Sequence, residues 1–117
     1  MEFEPAEIDL SRDLFESVEA HTRSCPDAEV CGLIFENSYY PLKNLSPDPF
    51  RFECDPSALA RALAQHGEPL AIYHSHPNGV LAPSKSDCSN AFYPRSKFVI
   101  GVLKDGDLQI RCFAPSF

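Results

Sequence analysis

The order in which helical and strand patterns alternate along this chain constrains its fold more than any other feature. Leu10, Leu14, Phe15 and Val18 fall at helical spacing within Ile8 to Arg23, which predicts an amphipathic helix. Asp9 or Ser11 suits its N-cap, and Cys25-Pro26-Asp27 closes it. Val30-Cys31-Gly32-Leu33-Ile34-Phe35 is a short apolar run of the kind that forms a buried strand. Asn37-Ser38 then turns the chain, and Tyr39 to Lys43 predicts a returning strand that Pro41 confines to a sheet edge. Asn44 to Pro49 carries Pro47 and Pro49 and reads as irregular chain. Phe50, Phe52 and Cys54 alternate with Arg51 and Glu53, which predicts a half-exposed strand. Asp55 caps a second helix with Pro56 at its first position, an apolar stripe of Leu59, Ala62 and Leu63, and Gly67 at its end. Pro69 to His76 is a further strand, stopped by Pro77-Asn78-Gly79, and Ser84 opens a short helix. Lys97 to Leu103 and Asp107 to Phe113 form a hairpin through Lys104-Asp105-Gly106-Asp107. Helix, strands, helix, strands together imply an α/β or α+β sandwich around a mixed sheet.

A length of 117 residues suits one domain, spanning 1–117, whose core needs no staples. Ten Lys and Arg against 17 Asp and Glu give a net charge of -7, which argues against a nucleic-acid partner. No apolar stretch is long enough for a membrane span. The acidic start MEFEPAEIDL lacks the apolar region of a signal peptide, so a soluble, cytoplasmic protein is expected. Cys25, Cys31, Cys54, Cys88 and Cys112 are odd in number and include no C-x-x-C pair. They are expected to be reduced thiols, most of them packed as small buried hydrophobes.

The stretch that carries chemistry is Tyr73-His74-Ser75-His76-Pro77, followed by Ser84 and Asp87. Residues two apart on a strand leave the same face, so His74 and His76 project together. Pro77 ends the hydrogen-bond ladder and leaves the pair at a strand end, where a cleft can form. Asp87, one turn into the following helix, is placed to complete a His/His/Asp set. Such a set leaves a fourth zinc position open, the mark of a catalytic rather than a closed site. Plainer readings stand beside these. An H-x-H pair also occurs on surface strands, and Ser84-x-x-Asp87 is equally a variant capping box. His21 and His66 lack ligand-spaced neighbours and read as exposed or capping residues. A Cys31–His74 nucleophile pair remains open. The H-E-x-x-H, P-loop and nucleobase-deaminase signatures are missing from the sequence.

His74-Ser75-His76, Ser84-x-x-Asp87 and the early Glu29-Val30-Cys31-Gly32-Leu33 together resemble the JAMM (MPN+) metalloprotease signature. Tyr40-Pro41-Leu42-x-Asn44, then Pro49, Phe52, Asp55 and Pro56, is similar to the bacterial and phage branch, in particular the JAMM domain of lambdoid phage tail-assembly proteins. The resemblance covers Asp27 to Leu103. It implies an MPN fold (cytidine-deaminase-like), a three-layer sandwich with a mixed β-sheet flanked by helices. It also implies zinc (Zn2+) held by His74, His76 and Asp87, Glu29 as proton acceptor, and Ser84 as donor to a developing oxyanion. Ser75 alternates to the opposite strand face, where packing is its expected role. The implied activity is isopeptide or peptide cleavage beside a ubiquitin-like protein or domain, in sulfur-carrier processing or phage tail assembly. Phage tail proteins are then candidate partners. Related phage chains continue into a second peptidase domain, so a standalone form or a domain of a longer protein is expected. Two alternatives remain: a non-catalytic MPN scaffold, and a structural zinc module with Cys88 as fourth ligand.

Overall fold

Leu14, Val18 and Thr22 recur along one face of the first helix and Ala62 anchors the second, and these faces seal opposite sides of one sheet. The computed structural model describes residues 2–49, 51, 53–84 and 97–116. Its elements are β1 (Glu2–Ala6), α1 (Arg12–Arg23), β2 (Cys31–Ile34), β3 (Tyr39–Leu42), α2 (Pro56–His66), β4 (Ala71–Ser75), β5 (Lys97–Lys104) and β6 (Asp107–Ser116). The six strands lie in the order β1-β6-β5-β4-β2-β3. Only β4 and β5 pair in parallel; the other neighbours are antiparallel. This is the mixed, helix-flanked α/β arrangement expected from the sequence.

Alternation along the strands divides the core. Cys31, Leu33, Ile72 and Phe98 pack with Ala62 beneath α2, whereas Ile34, Ala71, Tyr73 and Val99 pack with Val18 beneath α1. Burying each of the larger aliphatic side chains stabilises by about 1.5–3 kcal/mol relative to exposure. The helices start where their caps dictate. Ser11 accepts from the Leu14 N–H at 3.2 Å, so α1 begins at Arg12 rather than Ile8. Asp55 accepts from the Ser57 N–H at 3.0 Å ahead of Pro56. In the β5–β6 turn Asp105 and Gly106 both have positive φ, 54° and 85°, as a two-residue hairpin loop requires.

Two expectations need correction. The strand over Phe50 to Cys54 is reduced to an isolated bridge between Asn44 and Cys54; Phe50 and Phe52 lie outside the described residues. Its reason is local, because the Asn44 side chain takes the Arg51 carbonyl and the Glu53 N–H that a ladder would otherwise use. The second correction is β1, a strand the sequence reading left out. It carries Pro5 at a sheet edge and pairs with the far half of β6, which therefore runs to Ser116 instead of stopping at Phe113. The helix expected from Ser84 onward falls on residues 85–96, outside the described residues.

Candidate functional site

His74 lies on β4, between β2 and β5, and every residue of that strand is buried. A strand covered on both faces ordinarily carries only apolar side chains, so a wholly buried imidazole there needs a reason. Cys31 lies directly opposite His74 on β2, and the His74 ring meets that of Phe98 in a T-shaped contact with centroids 5.9 Å apart. His76 follows just beyond the strand end, held by its own N–H to the Gly101 carbonyl at 2.9 Å. The expected common face is observed: the two Nε2 atoms stand 3.1 Å apart. Ser75 points the other way, and its Oγ accepts the Val30 N–H at 2.9 Å.

The turn after His76 fixes its tautomer. Gly79 adopts a φ of 80° and returns its N–H to the His76 carbonyl at 3.1 Å. That turn brings the Val80 carbonyl to His76 Nδ1 at 2.8 Å. A neutral imidazole that donates from Nδ1 presents its lone pair at Nε2, the arrangement of a metal-ligating histidine.

Glu29 completes the cluster from the residue two before β2. It is buried, and one ligand atom from each of Glu29, His74 and His76 lies within 4.8 Å of the others. Two nitrogens bonded to one tetrahedral metal at about 2.0–2.1 Å stand roughly 3.3 Å apart, close to the separation of the Nε2 pair. The donor set therefore fits a divalent metal ion. Glu29 and His76 line a cleft of about 80 Å³ with Pro77, Asn78, Val80, Ala82, Pro83 and Ser84. Ser84 is exposed at its rim. Asp87, the expected third ligand, and Cys88 fall among residues 85–96, outside the described residues.

The other reactive groups lie apart from this cluster or are spoken for. His21 Nδ1 contacts the Tyr39 hydroxyl at 2.6 Å, and the His66 ring packs beside Phe35 and Tyr40. Cys31 faces the carbonyl of Leu42 at 3.9 Å and the Cys54 sulfur at 4.0 Å. Its hydrogen bond with Cys54, reinforced by burial, pushes the Cys31 thiol up and keeps it protonated. The Cys31–His74 nucleophile reading is thereby disfavoured. Sequence reasoning missed the Val80 carbonyl and the Ser75–Val30 bond; the Pro-Asn-Gly turn signalled the first, and nothing in residue pattern signalled the second.

A buried His-x-His pair with a facing glutamate, at the end of the β4 strand in this mixed sheet, defines a JAB-type domain. A family model described as prokaryotic homologues of the JAB domain matches residues 11–113, and the chain belongs to that family. Among its relatives is the desampylase of Haloferax volcanii, 28% identical over 80% of this chain and 78% of that protein. A probable TtuB-protein conjugate cleaving protease of Thermus thermophilus is 38% identical, covering 70% of this chain and 62% of the relative. Tail tip assembly protein K of Escherichia phage N15 is 34% identical over 67% of this chain, a stretch that is 34% of the phage protein. The solution structure of a Desulfitobacterium hafniense protein superposes with a TM-score of 0.72 at 28% identity, covering 89% of this chain and 81% of that one. A Salinibacter ruber structure shares the fold with a TM-score of 0.61, covering 91% and 80% of the two chains at 21% identity.

Proposed function

We propose that this chain is a zinc-dependent hydrolase that cleaves a peptide or isopeptide bond beside a ubiquitin-like protein or domain. The observation that carries the reading is the convergence of Glu29, His74 and His76 within 4.8 Å at a cleft that also reaches Ser84. In this reading His74, His76 and Asp87 hold the metal, Asp87 being assigned from the sequence signature that it forms with His74, His76 and Ser84. When bound, zinc supplies Lewis acidity that polarises a carbonyl and makes water nucleophilic near neutral pH. Glu29 accepts the proton released from the attacking water and passes it to the leaving amine. The Ser84 hydroxyl donates a hydrogen bond to the carbonyl oxygen as negative charge develops there, an interaction worth about 3 kcal/mol in comparable sites. Pro77 and the Gly79 turn keep His76 directed at the same point.

The substrate class is supported by two relatives, one named a desampylase and the other a probable TtuB-protein conjugate cleaving protease. The phage relative, named as a tail tip assembly protein, supports phage tail assembly as a second setting for the reaction. The reading places the reaction in the cytoplasm, in keeping with free thiols at Cys25, Cys31, Cys54 and Cys112.

The test measures zinc stoichiometry and cleavage of a ubiquitin-like conjugate side by side. Wild type should bind one zinc and cleave, with activity lost to a chelator and restored by zinc. Glu29→Gln should keep the zinc and lose turnover by several orders of magnitude, whereas His76→Ala should lose the metal. Full cleavage by Glu29→Gln would remove Glu29 as proton acceptor. Unaltered zinc binding in a His74→Ala, His76→Ala double variant would overturn the metal assignment.

A further inference from the structure

We propose that Asn44 is the positioning residue for Glu29, its carboxamide both folding the 44–53 loop and holding the Glu29 main chain against it. The proposal rests on the reading of Glu29 as proton acceptor. Asn44 Nδ2 donates to the Glu29 carbonyl at 2.9 Å and to the Arg51 carbonyl at 2.8 Å. Asn44 Oδ1 accepts from the Ser46 and Glu53 N–H groups, each at 2.9 Å. A carboxamide has two donor hydrogens and two acceptor positions, so its hydrogen-bonding capacity is filled. The assignment of its oxygen and nitrogen is forced, because a reversed amide would set NH₂ against two N–H donors and oxygen against two carbonyls.

The same loop also grips Glu29 from its other side. The Glu29 N–H donates to the Pro49 carbonyl at 2.8 Å. Both main-chain polar groups of Glu29 are thus held by one segment, which Asn44 closes upon itself at Arg51 and Glu53 together with the Leu45 N–H to the Glu53 carbonyl. Asn44 is the side chain that joins that closure to Glu29. Apolar packing does little of this work, since Leu45, Pro47, Asp48, Pro49, Arg51 and Glu53 are all exposed. One residue further on, the support changes hands: Val30 is fixed to β4 by Ser75 through both its N–H and its carbonyl. Removing the Asn44 donors should therefore free Glu29 while leaving Val30 and the imidazole pair in place. A displacement of about 1 Å at a reacting group is enough to cost roughly 100-fold in rate.

Asn44→Asp is the informative variant. It keeps acceptor oxygens for Ser46 and Glu53 and cannot donate to Glu29 or Arg51. Asn44→Ala removes both arms without adding charge, so agreement between the two variants separates lost donors from a new carboxylate. Steady-state kinetics of the zinc-loaded protein should show kcat reduced about 10- to 100-fold with KM and zinc stoichiometry within twofold of wild type. Hydrogen exchange should show the Glu29 amide opening in both variants while the Val30 amide keeps its wild-type protection. Unchanged Glu29 protection in both variants would overturn the proposal, as would an opened Glu29 amide with undiminished kcat. A zinc-loaded wild type that cleaves no ubiquitin-like conjugate would count against the proposed function instead, and the exchange measurement would then decide whether Asn44 holds Glu29.

Discussion

The two sides of the cleft are built by different means. His74 comes from the interior of the sheet, where β4 is bonded to strands on both sides and covered on both faces. His76 is the first residue beyond that strand, anchored through its N–H to the Gly101 carbonyl of β5. Glu29 comes from the chain just before β2, seated by an exposed loop whose shape depends on side-chain hydrogen bonds. The His74 imidazole is thus fixed by packing, which resists displacement because interiors are close-packed. His76 is tied to the same sheet by its bond to Gly101 and to the following turn by Val80. The carboxylate that would move a proton is fixed by a handful of hydrogen bonds, each contributing about 0.5–1.5 kcal/mol net. Changes on the sheet side should accordingly lower stability first, and changes on the loop side should lower turnover first.

Gly101→Ala is expected to break the sheet side most strongly. Gly101 lies beside Ser75 on β5, and a Cβ there would run into the Tyr73 ring. Tyr73 cannot yield cheaply: it is completely buried and its hydroxyl is bonded to Thr22 Oγ1 at 2.6 Å. Overpacking of this kind costs about 1–3 kcal/mol, readable as a lower urea midpoint at unchanged m-value. A midpoint equal to that of wild type would mean that the α1 face of the sheet is loosely packed, and the contrast between the two sides would fail.

That contrast also separates what the sequence displayed from what it concealed. His74 and His76 were legible because strand periodicity alone puts residues two apart on one face. The caps at Ser11 and Asp55 and the Asp105-Gly106 turn were legible because each answers a local backbone requirement. Glu29 was legible only through a family motif, since its approach to the imidazoles is a long-range event. Arg51 and Glu53 alternate with apolar neighbours as a strand would, yet the Arg51 carbonyl and the Glu53 N–H are taken by atoms of the Asn44 side chain. Period-2 patterning carries no information about such a competitor. β1 was missed because its pairing depends on β6, more than a hundred residues away, and because Pro5 speaks against a strand except at an edge.

Ser75→Ala probes the seam between the two sides and should have the next largest effect on stability. It leaves the buried Val30 N–H without its acceptor, a loss of about 1–3 kcal/mol. Both sides should respond, since Val30 adjoins Glu29 and Ser75 lies between the two histidines. Denaturation midpoints together with exchange of the Val30 amide provide the check. If that amide stays protected in the variant, another group has replaced Ser75 and the seam is not where the two supports meet.

The smallest expected effect is a pH dependence confined to the loop side. His21, in the last turn of α1, lines a groove of about 360 Å³ together with Glu29, Asn44 and Pro49. Burial lowers its pKa below the usual value of about 6.5, and its Nδ1 is engaged with the Tyr39 hydroxyl. Folded protein therefore binds a proton at His21 less readily than unfolded chain does. Between about 6.5 and the lower folded value the unfolded state takes up more protons, so stability falls as pH drops through that window. His21→Asn should flatten this fall: its Tm should drop less than that of wild type between pH 7 and pH 5, with zinc saturating throughout. The remaining histidines contribute equally to both proteins and cancel in the difference. Parallel Tm–pH curves would show that His21 is protonated as easily in the folded protein as in the unfolded chain, and the loop side would then owe none of its acid sensitivity to that residue.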